Sequence, residues 1–121
     1  MLIPMMNRYE LIKCLPKGGI VGEIGVWNGE NAQAILELNE PKEFSLIDSW
    51  GPTEDPRFPW DPAYGSMDDG MRSYFGILNK FKPQIDSSQI KIYKGLSGEM
   101  VKRFPDNYFD WIYVDADHTK E

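Results

Sequence analysis

The chain has 121 residues, 41% of them hydrophobic and 26% charged, and carries a formal net charge of −6. That length suits one small domain with its own core, spanning 1–121, and is too short for two. The acidic balance, with Lys and Arg dispersed, excludes a general affinity for nucleic acid, and no window approaches the roughly 20 apolar residues of a membrane span.

The opening MLIPMMNRYE has too short an apolar run for a signal peptide, and Pro4 interrupts it. The expected location is therefore the cytoplasm, with neither nucleic acid nor membrane as partner. Cys14 is the only cysteine, so no intramolecular disulfide or cysteine-based zinc site forms, and a buried place on a helix is expected for it.

Residues 5–15 carry Met5, Tyr9, Ile12 and Leu15 near helical spacing, and Pro16-Lys17-Gly18-Gly19 stops that helix. Residues 20–24 read as a strand, 30–39 as a helix, and 43–48 as a second strand. Residues 49–68 hold four prolines, Trp50, Phe58, Trp60 and Tyr64, with no helical or strand period. Such a stretch reads as a lid or substrate-facing loop, or as a surface excursion tucked onto its own domain. A helix over 69–82, capped by Asp68 or Asp69, presents Met71, Tyr74, Phe75, Leu78 and Phe81, and Pro83 ends it. Residues 89–93 alternate as strand three. A short helix follows over 97–104, and residues 108–114 form strand four, the most apolar of all. Helices alternating with strands predict a parallel α/β sheet.

The stretch at 20–36, IVGEIGVWNGENAQAIL, organises the rest. A strand runs into a glycine-punctuated turn and then a helix, the front half of a nucleotide-binding βαβ unit. Gly25 allows a sharp turn or a close ligand, and Gly29 lets the next helix approach the strand or the ligand. The plainer reading is an ordinary strand–turn–helix with a packing glycine. The glycines at 22, 25 and 29 do not make the G-x-G-x-x-G of a dinucleotide site. Asp48 ends strand two, where a nucleotide fold places a carboxylate on ribose hydroxyls; otherwise it caps a turn with Ser49. Strand four runs directly into Asp115, Ala116, Asp117 and His118. Two carboxylates and an imidazole at the carboxyl end of a parallel strand sit where such sheets bind ligands. The plainer reading there is an acidic turn with Asp117 as a helix N-cap.

Glu23, Gly25 and Gly29 form an acidic-x-Gly-x-x-x-Gly pattern. It resembles the first motif of the class I S-adenosylmethionine-dependent methyltransferases. FDWIYVDADHTKE, residues 109–121, closely resembles the strand-four motif of small-molecule O-methyltransferases, in particular the macrocin O-methyltransferase-like group. The resemblance covers about residues 5–121 and the front of that family's domain. It implies a Rossmann-like methyltransferase fold with strand order 3-2-1-4, cut off before strand five.

The resemblance further implies an S-adenosyl-L-methionine site at Glu23, Gly25, Val26, Trp27, Gly29, Asn31, Asp48, Ser49, Gly95, Leu96, Ser97 and Asp115. The Gly95-Leu96 backbone would border the adenine and Ser97 or a nearby amide would contact its edge, although the Ser97 hydroxyl reads more simply as a helix cap. Asp115 would bind Mg2+ in several family members' manner. Asp117 would be the general base on a substrate hydroxyl, with His118 beside it. The expected activity is methyl transfer to a hydroxyl of a small molecule. Left bare, strand four would be a long apolar edge, so either the sequence is a fragment of a longer protein or a second copy or another chain covers that edge. Two rivals stay open: a non-catalytic or truncated binding module, and a nicotinamide-dependent oxidoreductase.

Overall fold

Asn7 starts the first helix. Its side-chain oxygen accepts the Glu10 N–H at 2.9 Å, and its amide nitrogen donates to the Glu10 carboxylate at 2.9 Å, a reciprocal cap. The structure, a computed structural model, describes residues 7–50 and 67–114, with side chains from Gly70 onward in the second stretch.

The elements follow as α1 (Arg8–Cys14), β1 (Ile20–Ile24), α2 (Glu30–Asn39), β2 (Glu43–Asp48), α3 (Met67–Lys80), α4 (Lys82–Asp86), β3 (Ile90–Lys94), α5 (Ser97–Met100) and β4 (Trp111–Val114). A 3₁₀ turn, Val101–Arg103, extends α5. The four strands pair in parallel in the order β3-β2-β1-β4. This is the expected α/β architecture and strand order, consistent with a Rossmann-like fold. No helix among the described residues is long and apolar enough to cross a membrane.

Register divides the sheet into two faces. Val21, Glu23, Phe44, Leu46, Ile90, Ile92, Trp111 and Tyr113 share one face. Ile12 of α1, Ala32 and Ile35 of α2, Ile77 of α3 and Phe81 complete the core against it. Full burial of each such aliphatic or aromatic side chain contributes roughly 1.5–3 kcal/mol. The opposite face carries Ile24, Ile47, Tyr93, Ile112 and Val114. An aromatic group covers part of it, with Phe104 4.8 Å from Tyr93 and 4.7 Å from Phe109, ring to ring.

Two side chains tie the amino edge of the sheet. Asp110 accepts the Ile20 N–H at 2.7 Å, and Glu43 receives both the Tyr108 hydroxyl and, at 3.4 Å, the Lys91 ammonium. Asn39 is fully buried, and its amide donates to the Leu15 and Pro16 carbonyls at 3.3 and 3.1 Å. These bonds pair the carbonyls of the turn that follows α1.

Several local expectations need correction. Cys14 is exposed, not buried. Ile12 is the buried position of the seven-residue α1, and a residue two places on lies about 200° round the helix. Tyr9, near the start of α1, is exposed as well. The buried stripe of α3 runs through Ile77 to Phe81, with Tyr74 partly buried and packed on the core, while Phe75 is exposed. Pro83 does not end a helix. It sits in the first turn of α4, where a missing N–H costs nothing. Residues 67 and 68, read as loop, belong to α3, so Asp68 and Asp69 fall inside its first turn. β4 begins at Trp111 instead of 108, because Asp110 is engaged with the β1 backbone. It pairs with β1 alone among the described strands, and its outward residues Ile112 and Val114 are exposed.

Candidate functional site

The carboxyl edge of the sheet gathers the first three loops. The Gly25 N–H donates to the Ile47 carbonyl at 2.9 Å, carrying the β1–β2 ladder one step past β1. The Gly95 N–H donates to the Asp48 carbonyl at 2.9 Å and does the same between β2 and β3. Glu23, Gly25, Asp48 and Gly95 therefore stand along one edge, where parallel sheets hold ligands.

Two buried polar side chains mark this edge. Glu23 lies on the helix-covered face, between Leu46 and Tyr113 in register, and is fully buried. Asn31 stands in the first turn of α2 and is 3% exposed, yet neither its amide oxygen nor its nitrogen has a hydrogen-bond partner. A buried amide in that state costs free energy unless something else satisfies it.

The turn between β1 and α2 is held in a special shape. Gly25 has φ +85°, Trp27 has φ +59° and Gly29 has φ +87°. Gly29 is the N-cap of α2, and a Cβ there would stand 2.6 Å from Ile77 Cδ1 and 3.1 Å from the Phe81 ring. The packing role considered for Gly29 is thus real, and its neighbour is α3. Asn28 Oδ1 accepts the Glu30 N–H at 3.3 Å.

Asp48 joins this turn to the chain after β2. Its Oδ2 accepts the Val26 and Trp27 N–H groups at 2.8 and 2.9 Å, and its Oδ1 accepts the Trp50 N–H at 3.0 Å. The Trp50 indole N–H donates to the Trp27 carbonyl at 2.9 Å. Trp50 is fully buried and itself left-handed, with φ +46°. Trp27 is 45% exposed.

The remaining expected residues divide. Ser49 is buried beside Asp48. Leu96 is the N-cap of α5 by backbone alone; its carbonyl accepts the Glu99 and Met100 N–H groups at 3.0 and 2.9 Å. Ser97 is the first residue of α5 and exposed, so its hydroxyl does not cap that helix, contrary to expectation. Asp115, Asp117 and His118 lie outside the described residues; Val114, just before them, stands opposite Ile24 in register. The stretch 51–66 lies outside them too.

Trp50, Tyr74 and Lys94 were not foreseen here. The Tyr74 ring lies 5.4 Å from the Trp50 ring, and the Lys94 ammonium 5.6 Å from the Tyr74 centroid. Asp48-Ser49-Trp50 carried a usable signal, since an Asp often accepts the N–H two residues on. Among the described residues no three His, Cys, Asp or Glu side chains gather in a way that could hold a metal ion.

No protein-family model matches the chain, and no curated protein matches it in sequence.

Proposed function

We propose that the chain is an S-adenosylmethionine-dependent methyltransferase domain acting on a hydroxyl of a small molecule. One observation carries the reading. The buried Glu23 carboxylate and the buried Asn31 amide, the latter without a partner, flank the glycine turn at the carboxyl end of β1. An amino-acid group carries an ammonium and a carboxylate, and these are the partners that an acidic side chain and an amide donor can satisfy together. The turn lacks the glycine spacing that cradles a pyrophosphate, which favours a ligand without phosphate.

When bound, S-adenosylmethionine supplies an electrophilic methyl group on sulfur. In this reading Glu23 accepts from the ammonium of its methionine end, and Asn31 donates to the carboxylate. Gly25, Val26, Trp27 and Gly29 form the wall beside them. Asp48, Ser49 and the Gly95-Leu96-Ser97 turn would border the adenosine end of the cofactor. The rate advantage comes mainly from holding the acceptor oxygen, the methyl carbon and sulfur in line. By the strand-four resemblance Asp117 takes the acceptor's proton, with His118 next to it. By the same resemblance Asp115 would hold a Mg2+ ion, which would lower the pKa of the acceptor hydroxyl and orient it.

Thermal shift with S-adenosylhomocysteine and with NAD tests the binding half. A ligand that binds only the folded state raises the melting temperature. S-adenosylhomocysteine is expected to raise it and NAD to leave it unchanged; the reverse overturns the reading. Methyl transfer to a panel of hydroxylated acceptors, with Mg2+ or with chelator, tests the catalytic half. Activity lost in Asp117→Asn supports the base assignment, and full activity in that variant removes it.

A further inference from the structure

We infer that Asp48 is a positioning residue, which works by locking Trp27 in a left-handed conformation and so presenting its indole at the ligand edge. The ligand part of this inference rests on the proposed function; the locking part stands on geometry alone. A carboxylate at this place is expected to receive ribose hydroxyls. Here it receives three backbone N–H groups from two separate segments: Val26 and Trp27 on one oxygen, Trp50 on the other. With only 7% of its surface exposed, the side chain is embedded among the groups it holds.

What it holds is strained. A bulky residue at φ +59° is uncommon, and Trp27 and Trp50 both occupy the left-handed region. Such conformations persist only where surrounding bonds over-determine them. Three bonds meet that need: the charge-assisted bond to the Trp27 N–H, the one to the Trp50 N–H, and the Trp50 indole bond to the Trp27 carbonyl. Both sides of the Trp27 peptide backbone are thereby fixed. The buried Trp50 anchors the device, while Trp27 remains half exposed. An aromatic face in that place offers a ligand apolar contact and, to a cationic sulfonium, cation–π attraction.

The test compares the wild type with Asp48→Asn, Trp27→Ala and the double variant. An amide at 48 keeps one acceptor oxygen, so the N–H groups on its other side lose theirs. Calorimetry with S-adenosylhomocysteine is expected to show about a tenfold loss of affinity in each single variant. The double variant should lose about the same tenfold, because both changes act through one indole. The 2′-deoxy analogue should lose the same factor against the wild type and against Asp48→Asn. Losses that multiply in the double variant, or a deoxy penalty confined to the wild type, would place Asp48 on the ligand and overturn the inference. Trp50→Phe removes the indole bond to Trp27 while leaving Asp48 in place. It should also weaken binding non-additively with Trp27→Ala, which keeps the test alive if Asp48→Asn does not fold; additive losses there overturn the inference equally. Amide hydrogen exchange without ligand gives an independent arm. The Val26 or Trp50 side should exchange faster in Asp48→Asn, with Val21 and Leu46 unchanged. If S-adenosylhomocysteine does not bind the wild type, the proposed function falls and this arm alone decides: unchanged exchange at all three amides overturns the lock.

Discussion

A methyl group placed on Gly29 would stand 2.6 Å from Cδ1 of Ile77, so the start of α2 and the middle of α3 meet without room for a side chain. Gly29 also sits at φ +87°, where a Cβ is disfavoured in its own right. Gly29→Ala is therefore expected to destabilise the domain by about 2–5 kcal/mol, the sum of left-handed strain and overpacking. Ile77→Val removes the clashing methyl and alone costs about 0.5–1.5 kcal/mol. Combined with Gly29→Ala it should cost clearly less than the two added together. Urea melts of the four proteins measure this coupling, and strict additivity would show that the close approach carries no energy.

The contact explains what sequence could and could not reveal. The strand–turn–helix at 20–39 was legible because glycine turn, apolar strand and helical period agree there, and the parallel order followed from alternating elements. The buried stripe of α3 was misjudged by one residue. Tyr74, Phe75, Ile77 and Leu78 are all apolar, so periodicity alone does not choose between neighbouring faces. The choice is made by Gly29, which is distant in sequence and accepts Ile77. Cys14 and Ser97 failed for a related reason. Each lies on a helix of seven residues or fewer, too short for its pattern to fix an orientation. At the site, the importance of Asp48 was legible from its place after β2. Its backbone partners were not, because they depend on Trp27 and Trp50 adopting left-handed conformations that no propensity predicts.

Tyr108 should titrate late. Its hydrogen bond to the Glu43 carboxylate, followed by partial desolvation and the Glu43 charge, pushes its phenol from 10.0 up to about 12. A group whose pKa is raised by folding adds stability while protonated. The contribution is fully present below pH about 10 and disappears as the pH passes about 12. The stability difference between the wild type and Tyr108→Phe should accordingly be constant at neutral pH and shrink to nothing across that window. Denaturant melts at stepped pH follow the difference. Ultraviolet titration should show one late tyrosinate that is lost in Tyr108→Phe and moves earlier in Glu43→Gln. A constant stability difference through the whole window would show that the Glu43 bond does not distinguish the two protonation states.

Glu23 separates stability from binding. It is fully buried on the helix-covered face of β1, between Leu46 and Tyr113 in register, where an apolar residue would be expected for stability alone. Burying an ionisable group there has a desolvation cost. A functional residue kept against that cost should therefore give a specific pattern. Glu23→Leu is expected to abolish the shift produced by S-adenosylhomocysteine. Glu23→Gln keeps the shape and one acceptor oxygen but loses the charge. It should fold normally and bind at least tenfold more weakly, as expected for the loss of a hydrogen bond to a charged group. Circular dichroism melts with and without ligand measure both properties on the same samples. A fall of several degrees in Glu23→Leu together with an undiminished ligand shift would identify Glu23 as a structural carboxylate, and the methionine end of the proposed cofactor would have to be held elsewhere along the edge.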